Sequence, residues 1–135
     1  MHRKRILFLL IWLLGILFPM AWLGGFSAGY RRVFNTIFSP EWMHWLMHAA
    51  LYAGLAILLV VVFGLSVNRR SVQLVLGIVL LVGLLQEGMQ LFSGVQIVSW
   101  NSLFDLGVDL VGAGIGLGVI AGIRKASGMR NTPEA

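Results

Sequence analysis

An all-α integral membrane fold is predicted: four transmembrane helices, both termini inside, and a short interfacial amphipathic helix between the first two. Three observations predict it. Only 11% of the 135 residues are charged and mean hydropathy is +0.90, whereas soluble domains average about 25% charged residues. Four apolar runs approach the ~20 residues a spanning helix needs. The basic residues sit in short clusters at the ends of those runs, where topology signals belong. So few charges could not cover a water-facing surface, and a single membrane domain over 1–135 is expected. The net charge of +5 arises from these clusters, so nucleic acid is not an expected partner. There is no Cys, hence no disulfide framework and no thiolate metal site.

The expected spans are about 6–24, 41–65, 71–92 and 102–123. The first begins after the basic stretch HRKR, which also suits a signal peptide. Its apolar run continues through Pro19 to Leu23, longer than a usual signal core, so an uncleaved helix kinked near Pro19 is expected. Arg3, Lys4 and Arg5 precede span one, Arg69 and Arg70 separate spans two and three, and Arg124, Lys125 and Arg130 follow span four. Those eight fall on one side and only Arg31 and Arg32 on the other, which gives N-in, C-in with a cytoplasmic tail over 124–135. The first outer loop places Tyr30, Val33, Phe34, Ile37 and Phe38 on one helical face, the pattern of an amphipathic helix lying in the interface. Ser39 as N-cap and Pro40 as first helical residue open span two. Trp42 and Trp100 stand at belt positions, and the tail SGMRNTPEA is expected to be disordered.

This orientation collects polar residues at one depth. Span two carries His44 and His48, span three Glu87 and Gln90, span four Asp105 and Asp109. At about 1.5 Å per residue, His48 lies roughly 9 Å below Trp42, Glu87 roughly 8 Å below Phe92, and Asp109 roughly 9 Å below Leu103. Spacings of three or four residues put each pair on one face of its helix. An Asp at a helix centre costs about 2.5–3.5 kcal/mol to insert, so such groups turn inward and find partners. A polar pocket open to the outer surface is expected, with His48, Glu87, Gln90 and Asp105 lining it and Asp109 and His44 as a second ring.

Such a set can bind a polar head group, serve as an acid–base pair, hold a divalent metal, or pin helices together. Neither metal nor cofactor is expected, because the residues are spread over several helices and no HExxH pattern is present. The enzyme alternative, hydrolysis or transfer on a lipid-linked substrate, uses Glu87 as base and His48 as acid or metal ligand. A proton or ion pathway lacks support deeper in, since no ionisable residue falls between Tyr52 and Arg69 or between Ser71 and Gln86. Gly112, Gly116, Gly118 and Gly122 form small-xxx-small pairs suited to close approach of a helix, from this chain or a second copy.

The chain resembles the VanZ-like family of small bacterial membrane proteins from about residue 44 to 118. The motifs are HAALY at His48–Tyr52, EGMQLF at Glu87–Phe92 and SLFDLGVDLVGAGIG at Ser102–Gly116. His48, Tyr52, Glu87, Gln90, Ser102, Asp105 and Gly112 match the family pattern. Asp109 stands where the family has Asn, His44-Trp45 where it often has Asp-Lys, and no Arg occurs anywhere in 71–123, where the family usually has one. The resemblance implies an envelope-associated accessory or binding protein of the bacterial inner membrane, of the kind linked to teicoplanin-type glycopeptide resistance. Its expected partners are membrane lipid and a lipid-linked or glycan-type ligand.

Overall fold

A computed structural model describes residues 2–18, 23, 25–38, 40–92 and 100–128. Among these the chain is all-helical: α1 (His2–Leu17), α2 (Ala28–Phe38), α3 (Glu41–Val62), α4 (Arg69–Phe92) and α5 (Trp100–Ala126). Three helices are long and apolar enough to cross a membrane, over Glu41–Val62, Arg69–Leu91 and Ser102–Ala126. These are the second, third and fourth expected spans. Their outer faces stay apolar, with Leu81, Leu84 and Leu85 on α4 and Val111, Ile115, Val119 and Ile123 on α5 all exposed. Apolar residues around the whole circumference suit lipid rather than water, and mark a membrane protein.

Among the described residues, the first expected span does not supply a fourth such helix. Helix α1 has 16 residues, of which the first four are His2 and the basic Arg3–Arg5. The apolar remainder, Ile6–Leu17, has 17 − 6 + 1 = 12 residues, about 18 Å at 1.5 Å each, short of a hydrocarbon core of about 30 Å. The physical reason lies in Pro19, which lacks an N–H and disfavours helical backbone at the residue before it. Residues 19–22 and 24, the remainder of that expected span, lie outside the described residues.

Local chemistry sets the other boundaries. Pro40 is the N-cap of α3 itself, with extended backbone (φ −76°, ψ 126°), rather than its first helical residue. Ser39, the expected cap, is outside the described residues. Glu41 supplies a negative charge to the first turn, where the helix dipole favours it. The far end of α3 closes as a Schellman motif: Gly64 takes φ 62° and the Leu65 N–H donates to the Val60 carbonyl at 3.0 Å. That left-handed residue stops the helix three positions short of the expected end. Asn68 then caps α4, its Oδ1 accepting the Ser71 N–H at 2.9 Å.

Helix α3 is the hub. Its Tyr52, Leu55, Ala56, Leu59 and Val60 are buried against Val75, Val79 and Val82 of α4 and Ala113, Leu117 and Ile120 of α5. Leu9 and Ile16 of α1 join the same core, and the Trp12 Nε1–H donates to the Leu51 carbonyl at 3.0 Å. Gly54 makes room for that indole, since a Cβ there would collide with the Trp12 ring.

Helices α3 and α5 run parallel, and one register proves it. His44 meets Asp105 and His48 meets Asp109, each 61 residues apart. Lower down, a Cβ on Gly112 would strike the Ala49 carbonyl and one on Gly116 the Ala53 carbonyl, offsets of 112 − 49 = 63 and 116 − 53 = 63. A near-constant offset over four contacts requires both helices to point the same way. The small-xxx-small pair Gly112/Gly116 therefore packs within the chain, on a matching pair of alanines. Gly118 and Gly122 face open space instead.

Candidate functional site

The close α3–α5 seam brings two His–Asp rungs together one helical turn apart. His48 Nδ1 lies 2.8 Å from Asp109 Oδ1, and both residues are buried, at 5% and 2% exposure. With the carboxylate ionised, the Nδ1–H donates, which fixes the ring tautomer and leaves Nε2 as the nitrogen free to act. One turn nearer the helix start, His44 Nε2 lies 3.4 Å from Asp105 Oδ2. The Asp105 carboxylate is buried while the His44 side chain is 42% exposed, so this rung opens to the exterior. The two imidazoles follow each other at i, i+4 with ring centroids 4.5 Å apart.

Helix α4 closes the third side. Tyr52, one turn below His48, donates its hydroxyl to Gln86 Oε1 at 2.8 Å. Gly83 lies beneath that bond; a Cβ there would press on a Leu106 methyl and come within 3.0 Å of Asp109 Oδ2. The missing side chain is what lets α4 reach the buried carboxylate. Glu87 is half-buried and within electrostatic reach of His48, Tyr52 and Asp109. Among the described residues it makes no hydrogen bond or ion pair. Gln90 is half-buried one turn further along α4.

The three helices thus bring His44, His48, Glu87, Asp105 and Asp109 of the expected residues into one cluster, but in a different order. Asp109 and His48 form the buried centre rather than belonging to separate rings, and His44 with Asp105 forms the outer rung. The offset of the packed seam decides this, because the close contact of Gly112 on Ala49 leaves His48 facing Asp109 and not Asp105 or Glu87. Tyr52 and Gln86 were missing from the expected site. Tyr52 continues the His44, His48 spacing by one more turn, a signal present in the sequence. Gln86 neighbours Glu87, and only the structure distinguishes it from Gln90 as the Tyr52 partner.

The bundle is electrically polarised. His44, His48, Asp105 and Asp109 lie in the first half of α3 and α5, while Gln86 and Glu87 lie near the end of α4. Arg69, Arg70, Arg124 and Lys125 gather at the opposite end, where Arg124 Nη1 donates to the Leu65 carbonyl at 2.7 Å. No Lys or Arg occurs in α3 or between Ser71 and Ile123. Among the described residues, the ion pairs of the cluster's carboxylates are with His44 and His48 alone. No family model, curated protein or solved structure matches the chain.

Proposed function

We propose that this chain is a multi-pass protein of the bacterial inner membrane, VanZ-like in its motifs. It binds the polar head group of a lipid-linked or glycan-type ligand at the outward end of the α3–α4–α5 cluster. The observation that carries the reading is the placement of one polar network from three apolar helices at the end of the bundle opposite the arginines. By the positive-inside rule the Arg69, Arg70, Arg124 and Lys125 end is cytoplasmic, so the His–Asp seam faces outward.

Intramembrane ionisable residues are expensive to insert and are kept for a task. Pinning two helices would need one rung; here two His–Asp rungs, a Tyr–Gln bond and Glu87 converge. His44 on the open rung and Glu87, which has no hydrogen bond or ion pair among the described residues, are the groups an incoming head group would meet first. A polyprenyl diphosphate carrying a disaccharide is a suitable probe, measured by native mass spectrometry of the detergent-purified protein. Binding that is lost in His44→Ala while helicity is kept supports the reading. Equal retention by the wild type and His44→Ala would count against it.

A further inference from the structure

The geometry points to a divalent transition-metal site formed by His44, His48 and Asp105, with Asp109 supporting His48 from behind. It stands apart from the ligand class proposed above, because it rests on donor geometry alone. The two histidines and the carboxylate each bring a ligand atom to within 4.8 Å of the others. Two ligands about 2.0–2.1 Å from a tetrahedral ion lie about 3.3 Å apart. The His44 Nε2 to Asp105 Oδ2 separation of 3.4 Å already equals that edge, and it is long for a charge-assisted hydrogen bond, usually about 2.7–2.9 Å. It suits two groups sharing an ion better than two groups sharing a proton.

Three further features agree. Histidines at i, i+4 on one helix face are the arrangement by which a helix chelates zinc. The His48–Asp109 bond of 2.8 Å is the carboxylate–histidine support that metal-bound imidazoles have, holding the ring and raising its basicity. Charge balance points the same way. Asp105, Asp109 and Glu87 converge on His48, no Lys or Arg forms an ion pair with them among the described residues, and a dication supplies countercharge. Two imidazoles and one carboxylate favour zinc, cobalt, nickel or iron(II) over magnesium or calcium, which take all-oxygen shells. Three protein ligands leave a tetrahedral ion one open position, and the 42% exposure of the His44 side chain places that position toward the open rung. Dispersal over several helices, the reason not to expect a metal from sequence, disappears once the parallel seam sets α3 and α5 in register.

The test uses tag-free, full-length protein in detergent, stripped with chelator and titrated with Zn²⁺ or Co²⁺. The expected result is one equivalent per chain by elemental analysis, with intense visible d–d absorption for the low-symmetry cobalt form. His44→Ala, chosen because the side chain is half-exposed, and the near-isosteric Asp105→Asn should each abolish the cobalt spectrum while keeping the far-ultraviolet helix signal. Asp109→Asn should weaken metal affinity by about 10–100-fold without abolishing it. The proposal is overturned if the folded wild type retains no metal, or if both His44→Ala and Asp105→Asn leave the stoichiometry and spectrum unchanged.

Discussion

His48 of α3 and Asp109 of α5 meet at 2.8 Å between two parallel helices, both buried, one helical turn beneath a second rung of the same kind. A charged hydrogen bond in this setting is strengthened by the low dielectric. An orphaned partner is correspondingly expensive. In a membrane the net coupling is moderated, because a separated helix still finds partners, and measured couplings average about 0.6 with a maximum near 1.7 kcal/mol.

Asp109→Ala is therefore expected to destabilise the metal-free protein more than that coupling alone, since it also leaves His48 buried without its acceptor. The double variant His48→Ala/Asp109→Ala should cost less than the sum of the two single changes, by about 0.6–1.7 kcal/mol. Denaturation in mixed micelles with chelator present measures this cycle. Strict additivity would mean the two side chains do not interact.

The glycines of α5 divide into two sets with opposite expected behaviour. Gly112 and Gly116 touch the α3 backbone, and Gly118 and Gly122 face open space. Gly112→Leu should force the seam apart and abolish the folded state, while Gly118→Leu should stay within about 0.5 kcal/mol of wild type in the same denaturation assay. Because Gly112 sets the register, its loss should also remove both His–Asp rungs.

The parallel register and its orientation can be read by thiol chemistry, since the chain contains no Cys. Trp45 and Phe104 pack with ring centroids 5.0 Å apart, so Trp45→Cys with Phe104→Cys should be joined by a short bifunctional thiol cross-linker. Trp45→Cys with Val119→Cys should not. In whole cells a membrane-impermeant thiol reagent should label Trp42→Cys and leave Ser66→Cys unlabelled.

Much of this arrangement is legible in the sequence, and the reasons are physical. The three long spans follow from apolar length, and α4 ends at Phe92 as expected, while α3 begins at Glu41, one residue after the expected first helical residue Pro40. The four-residue spacings of His44/His48 and Asp105/Asp109 fix each pair on one face. Spacing does not say how one helix is rotated and shifted against another. That is decided by the contact of Gly112 and Gly116 on Ala49 and Ala53, which pairs His48 with Asp109 and leaves Glu87 unpaired among the described residues. Helix α1 is shorter than the expected span for a different reason: the apolar run continues past Pro19, and the expectation treats that proline as a kink where the helix ends before it.

Glu87 separates a binding site from helix packing most directly, because no hydrogen bond or ion pair among the described residues depends on it. The deciding measurement is retention of the disaccharide-bearing polyprenyl diphosphate by Glu87→Gln against wild type, read by native mass spectrometry of the detergent-purified proteins. Wild type should retain the lipid and Glu87→Gln should lose it, though the variant keeps its helical signal. A Glu87→Gln protein that retains the lipid as fully as wild type would contradict the account.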